Sequence, residues 1–207
     1  MILAVDTSLG TAVATVAPDG SLRAEASTDD PLGHAEVIGD LLRDVVDGFG
    51  DGTVTHVVSG MGPGPFTGLR IGIATARTFA LGRGIPVVPV PSHLAIALAA
   101  IEADGVDDRF AVVTDARRRE VALTVFEGLD DDGLPHIVAE TVLVARARLD
   151  EALAGTRGIE TTVLSAADLA RVGARALAAG RVLAGDEPLY LRHPDVTVPG
   201  APKKVGL

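Results

Sequence analysis

Gly60-Met61-Gly62-Pro63-Gly64-Pro65-Phe66-Thr67-Gly68-Leu69-Arg70-Ile71-Gly72 is the segment on which the architecture turns. It follows the apolar run Thr53 to Ser59, which reads as a strand, and it opens a helix from about Thr67 to Leu81. Gly82, Gly84 and Pro86 stop that helix. The loop between them has two readings. In one it is an anion cradle, with loop N–H groups and a helix N-terminus facing a phosphate. In the other it is a tight crossover whose glycines accept positive φ and close packing. Pro63 and Pro65 remove two N–H donors, and no Gly-Lys-Ser/Thr ending makes it a P-loop. Both facts weigh towards the crossover.

Upstream, residues 2–6, 11–17 and 21–27 read as three strands joined by tight turns, with Pro18-Asp19-Gly20 as one of them. Val37, Ile38, Leu41, Leu42, Val45, Val46 and Phe49 recur at helical spacing, giving a helix over about His34 to Gly48. Downstream come a strand at 87–90 and a helix at 93–103, which Ser92 can cap. The second half reads as strands at 110–114, 121–126 and 137–143, a helix at 147–154, a strand at 161–164 and a helix at 167–184. The tail, with Pro188, Pro194, Pro199 and Pro202, reads as irregular. Aligning Asp6 with Asp115 lays Thr15-Val16 over Thr124-Val125, a weak internal repeat. The expected fold class is therefore α/β, an actin-like ATPase (ribonuclease H-like) fold. It holds two tandem β-β-β-α-β-α subdomains, the second reduced, at residues 1–104 and 105–207.

Composition narrows the function. The 207 residues are 47% hydrophobic and 22% charged, which excludes disorder. Aromatics are 3% and Trp is absent, so base stacking on aromatic platforms is disfavoured. A net charge of −10 repels a phosphate backbone. With no cysteine there is no disulfide, thiolate metal site or cysteine nucleophile. The start of the chain lacks a basic leader and meets Asp6 early, unlike a signal peptide. Leu94 to Ile101 is too short to span a membrane. A cytoplasmic protein without a membrane role is expected.

Few residues invite chemistry. His34 and Glu36 are two apart and share no helix face, while His56, His93, His136 and His193 stand singly, so no metal site is expected. No Gly-x-Ser-x-Gly elbow activates a serine. Asp6, Thr7 and Ser8, at the end of the first strand, could hold a magnesium–nucleotide complex, or could form a self-capped turn. Gly62, Gly64, Thr67 and Arg70 would complete such a site. Arg117-Arg118-Arg119 could touch RNA phosphates, although a solvated turn is the plainer reading. Gly68, Gly72, Ala76 and Ala80 form a small-residue stripe on one helix face. That stripe fits either a neighbour in the same chain or a helix of another subunit.

Gly62 to Gly72 closely resembles the signature of TsaB proteins, once grouped with glycoproteases. Ile2 to Ser8 is similar to the family's opening strand and Asp-Thr-Ser turn, and His34-Ala35-Glu36 to its first-helix start. Asp115-Ala116-Arg117-Arg118 resembles its central hairpin, and Pro188-Leu189-Tyr190-Leu191-Arg192 its C-terminal motif. Pro65 stands where Ser is usual, and Ala122 where Tyr is common. The resemblance implies a non-catalytic subunit, with no catalytic residues and no cofactor of its own. It would serve formation of N6-threonylcarbamoyladenosine at position 37 of tRNAs reading codons that begin with A. The implied partners are a TsaD-like transferase and a TsaE-like ATPase, with ATP or ADP at the partner interface and tRNA met only through the complex. The isolated chain would form a homodimer. The expected interface comprises His34, Glu36, Val37, Leu41, Gly68, Gly72, Ala76 and Ala80. The alternative is an actin-fold ATP-binding enzyme or a glycoprotease-like hydrolase.

Overall fold

A computed structural model describes residues 1–30, 33–48, 52–106 and 108–192. Phe49, His193 and the prolines at 194, 199 and 202 lie outside the described residues. The first half holds β1 (Ile2–Asp6), β2 (Thr11–Val16), β3 (Leu22–Thr28), α1 (His34–Gly48), β4 (His56–Gly60), α2 (Phe66–Arg83), β5 (Val87–Val90) and α3 (Ser92–Asp104). The second holds β6 (Arg109–Asp115), β7 (Glu120–Leu129), β8 (Pro135–Ala145), α4 (Leu149–Leu153, after a short 3-10 turn), β9 (Arg157–Glu160) and α5 (Ala166–Ala178).

The strands form two sheets, ordered β3-β2-β1-β4-β5 and β8-β7-β6-β9. Their layering explains the sequence pattern. In β1, Leu3 and Val5 face α1 and α2, whereas Ile2 and Ala4 face the middle of the molecule. A strand covered on both faces reads as an unbroken apolar run. Helices α3 and α5 fill the space between the sheets, and their side chains join Phe110, Val112 and Phe126 in one core. The Phe110 and Phe126 rings stack at 5.7 Å, and each buried ring contributes about 1.5–3 kcal/mol. Lying between two sheets, α3 is apolar all round from Leu94 to Leu98. The sheets divide along the chain between α3 and β6; α5 packs on the first sheet, α3 on the second, and the two helices pack against each other.

The internal repeat is visible in the register. Leu3 pairs with Thr15 and Asp6 with Ala12 in the first hairpin. Val112 pairs with Thr124 and Asp115 with Val121 in the second, with the same spacing. Each hairpin receives one parallel strand beside its first member, β4 on β1 and β9 on β6. This duplicated unit is the actin-like, ribonuclease H-like fold.

Two expectations shift. The strand expected at 161–164 lies at 157–160, paired with Phe110 to Val113. The β-branched Thr161-Thr162-Val163 attracts a strand reading, but the Thr161 hydroxyl bonds the Val163 carbonyl and turns the chain. The last helix ends at Ala178 and not at 184, because Gly180 takes φ +66° and Arg181 N–H closes onto the Ala176 carbonyl.

His93 joins the two halves. One ring nitrogen, Nδ1, lies 2.7 Å from Thr124 Oγ1 and the other, Nε2, 2.9 Å from Thr114 Oγ1. Burial alone pushes its pKa down to about 3, so the ring is neutral. A histidine depressed below its unfolded value near 6.5 favours the fold above that value and opposes it as pH falls. Stability to urea should therefore decline from about pH 6.5 towards pH 3, by about 1.4 kcal/mol per unit of depression. His93→Gln should flatten that part of the profile, whereas an unchanged slope would show that the ring is not buried neutral.

Candidate functional site

The C-terminal end of β1 is a hydrogen-bonded knot. Asp6 Oδ1 accepts from Ser8 N at 2.7 Å and from Ser8 Oγ at 2.5 Å. Its Oδ2 accepts from Ser92 Oγ at 2.5 Å, and that hydroxyl accepts from Gly62 N at 3.0 Å. Desolvation raises the Asp6 pKa, and the hydrogen bonds from Ser8 and Ser92 oppose the rise. The Gly/Pro loop lies directly on this turn. A Cβ at Gly60 would overlap Asp6 Oδ2, and one at Gly64 would stand 2.8 Å from Ser8 Cα. Asp6, Thr7 and Ser8 are consequently 2%, 1% and 3% exposed.

The nucleotide residues expected from sequence thus divide. Asp6, Thr7, Ser8 and Gly62 come together, but as a closed turn satisfied within the chain. Gly64 reaches a neighbouring cavity. Thr67 and Arg70 lie on the exposed side of α2, where the Arg70 guanidinium covers the Phe66 ring at 3.8 Å and its Nε donates to Tyr190 OH at 3.0 Å. The start of α2 has no side-chain cap.

Five of the residues expected at the interface are buried within this chain. Gly68, Gly72, Ala76 and Ala80 are buried against their own chain. Thr7 Oγ1 donates to the Gly68 carbonyl at 2.7 Å, and a Cβ at Gly72 would overlap Thr7 Oγ1. The stripe serves close approach of α2 to the β1 turn, which was the plainer of its two readings. His34 is also buried, with Nδ1 at 2.9 Å from Thr11 Oγ1 and Nε2 without a partner among the described residues. Glu36 is exposed, and Val37 and Leu41 are half-buried on α1.

Beside the knot, a cavity of about 420 Å³ opens between the two halves. Three segments wall it: Pro63 to Phe66, Thr114 to Arg118, and Leu189 to Arg192. Ala122, at the position where the resemblance leads one to expect Tyr, and Leu143 complete it. The C-terminal strap is held by Leu189 N on the Met61 carbonyl at 2.8 Å, by Arg70 on Tyr190, and by Arg192 on Glu120. Arg117, Arg118 and Arg119 have φ of 64°, 55° and 62°. Such left-handed conformations cost about 1–2 kcal/mol per residue. Hydrogen bonds hold the turn in that shape, Ala116 N to the Glu120 carbonyl and Glu120 N to the Arg117 carbonyl, both 3.0 Å.

Chemically, the cavity offers the Asp115 carboxylate, three guanidinium groups and two hydroxyls. Thr114 Oγ1 is engaged with His93, and Tyr190 OH with Arg70. No group of three His, Cys, Asp or Glu that could hold a metal occurs among the described residues. No described helix is long and apolar enough to cross a membrane. Sequence reasoning missed the bridging role of His93 and the strap as a cavity wall. A lone histidine carries no periodic signal, and the strap's contacts lie 70 or more residues away in sequence.

A family described as TsaD, tRNA N6-adenosine threonylcarbamoyltransferase, matches residues 33–170. An uncharacterized protein of Mycobacterium tuberculosis is 40% identical over 127 residues, which is 58% of this chain and 56% of that protein. The Escherichia coli tRNA threonylcarbamoyladenosine biosynthesis protein TsaB is 31% identical over 137 residues, 65% of this chain and 58% of that protein. The chain thus spans just over half the length of these two relatives. YeaZ from Pseudomonas aeruginosa superposes with a TM-score of 0.75 at 24% identity, covering 92% of this chain and 99% of that one. That likeness supports the fold.

The packing of α2 gives a paired expectation. Gly82 has open space around it, so Gly82→Ala should raise stability by about 0.5–1 kcal/mol. Gly72→Ala should lower it by about 1–3 kcal/mol through the clash with Thr7. Thermal unfolding of the two variants checks both signs.

Proposed function

This chain belongs to the TsaD-type, glycoprotease-like family as a TsaB-like member, and from that premise we propose that it is a non-catalytic subunit in tRNA modification. It serves formation of N6-threonylcarbamoyladenosine at position 37 of tRNAs reading codons that begin with A. Its partner is a TsaD-like transferase, whose active site it holds in shape, and a TsaE-like ATPase joins them. The tRNA is reached through the complex, in the cytoplasm, and the isolated chain pairs with itself. Any ATP or ADP sits at the partner interface.

The observation that carries this reading is the closed Asp6 knot. Where an actin-fold enzyme needs a free carboxylate towards a metal-bound phosphate, this chain has one buried at 2% exposure and bonded to Ser8 and Ser92. The outward faces of α1 and α2 supply the partner surface. α1 presents Glu36, Asp40, Asp44 and Asp47, and α2 presents Ala74, Thr78 and Leu81, the last 83% exposed. Half-buried Val37 and Leu41 extend it between the helices. A small apolar centre inside a charged rim suits a protein interface.

The alternative, an ATP-using or peptide-cleaving enzyme, draws on the cavity between the halves. It would be established if the purified chain turned over ATP or peptide and lost that activity in Asp6→Asn.

Leu81→Glu and Ala74→Glu, both exposed, should leave folding within about 0.5 kcal/mol of the parent. Each should weaken binding to the transferase by about tenfold or more in a pull-down or calorimetric titration. Val163→Glu, exposed on the other half, should bind as the parent does. Undiminished binding by the two α2 variants would overturn the proposed surface.

A further inference from the structure

Where α3 meets the two sheets, the buried polar side chains of Ser92, His93, Thr114 and Thr124 are all paired. Three buried side-chain atoms among the described residues find no partner: Thr15 Oγ1, Ser59 Oγ and His34 Nε2. They share one layer. Along β2, Val13 faces α1 and α2 while Ala14 and Val16 face the middle of the molecule, so Thr15 faces the helices. Along β4, Val57 faces the helices and Val58 the middle, so Ser59 lies on the helix side. His34 opens α1 and lies against Gly68 of α2. A buried polar group without a partner has lost its water and gained no bond in exchange, so it weakens the packing that covers it.

The same layer is thinly anchored in two other ways. α1 sends only Ile38 and Val45 fully into the core and leaves Val37, Leu41, Leu42 and Val46 half-buried. α2 adds only Ala76 and Ala80 to the fully buried part of that core, and such small side chains remove little apolar area from water. α1 also carries Asp47 in its last turn with no basic residue there, so charge opposes the negative end of the helix. On the opposite face of the same sheet, α5 buries Leu169, Ala170, Val172 and Ala176, and Ser165 caps its start.

We propose that α1 and α2 open from the first sheet as one unit, ahead of the rest of the molecule, and that pairing with the transferase closes them. The closing half rests on the proposed role as the transferase's subunit; the opening half stands without it. Local opening occurs where buried apolar contact is least. Here it also returns water to the Thr15 and Ser59 hydroxyls and to the unpaired His34 nitrogen. Because His34 on α1 packs against Gly68 on α2, the helices leave together. A partner seated across both helices covers the half-buried Val37 and Leu41, and it can do so only while the layer is closed, so binding favours the closed state.

The test is amide hydrogen exchange of the intact chain, alone and with the transferase. Relative to their unprotected rates, amides of α1 and α2 should exchange about tenfold or more faster than those of α3 and α5. Phe126→Leu weakens the core between the sheets. It should speed α3 and α5 about tenfold and leave α1 and α2 unchanged, since these open without disturbing that core. Thr15→Val removes an unpaired hydroxyl at nearly constant shape and should slow α1 and α2 about tenfold. Ser59→Ala should act in the same direction and keeps the test decisive should Thr15→Val misfold. Added transferase should slow exchange throughout α1 and α2, including at Ile38 and Val45, whose side chains point inward. Equal protection of the four helices, faster exchange of all four in Phe126→Leu, or unchanged α1 and α2 exchange in both hydroxyl variants would each overturn the opening unit. A complex in which α1 and α2 exchange as in the free chain would overturn the closure. Failure to form a complex would overturn the pairing and the closure with it, while the opening unit is judged on the chain alone.

Discussion

The corner where α3 begins holds this molecule together. Ser92 and His93 are adjacent, yet they reach into different halves. Ser92 Oγ donates to Asp6 at the end of β1, and its backbone N–H donates to the Gly62 carbonyl at 2.8 Å. His93 meets Thr114 and Thr124 on the other sheet. All of these groups are buried, so each unmade bond would leave a desolvated polar group at about 1–3 kcal/mol. The relative position of the two sheets, and with it the cavity between them, depends on this two-residue bridge.

The same corner fixes how the Asp6 carboxylate is used. The strand-turn-strand unit delivers Asp6 to the place where the fold can present a carboxylate to a phosphate. Here the Gly/Pro loop closes over it, and glycine at 60 and 64 permits that approach. The carboxylate becomes an acceptor for Ser8 and Ser92. Its raised pKa reflects burial first. The corresponding Asp115 of the second hairpin stays exposed, beside the arginine turn. One repeated geometry thus has two outcomes in one chain: a sealed acid and an open cavity.

Much of the architecture was legible in the sequence because the layers impose opposite patterns. Fully covered β1 and β2 read as apolar runs, and α1, covered on one side, reads as an alternation with charged residues at helical spacing. Even the repeat of Asp6 and Asp115 was visible, and it proved to be a repeat of hairpin register. What failed was local or long-range. β9 was displaced by a β-branched triplet that a side-chain hydrogen bond turns aside. The Gly/Ala stripe showed that something packs closely on α2, but not that Thr7 and His34 of the same chain do so. Periodicity gives a face and leaves its occupant unnamed. The cavity was the least legible feature, because its walls come from three segments that only the fold brings together.

The central claim, that this chain acts by supporting a partner's chemistry, is tested most directly by reconstituting tRNA threonylcarbamoylation from purified components. The transferase and ATPase should be inactive or nearly so without this chain and active with it, and Asp6→Asn should restore activity as well as the parent does. Full modification without the chain, or a folded Asp6→Asn chain that gives no support, would contradict the account.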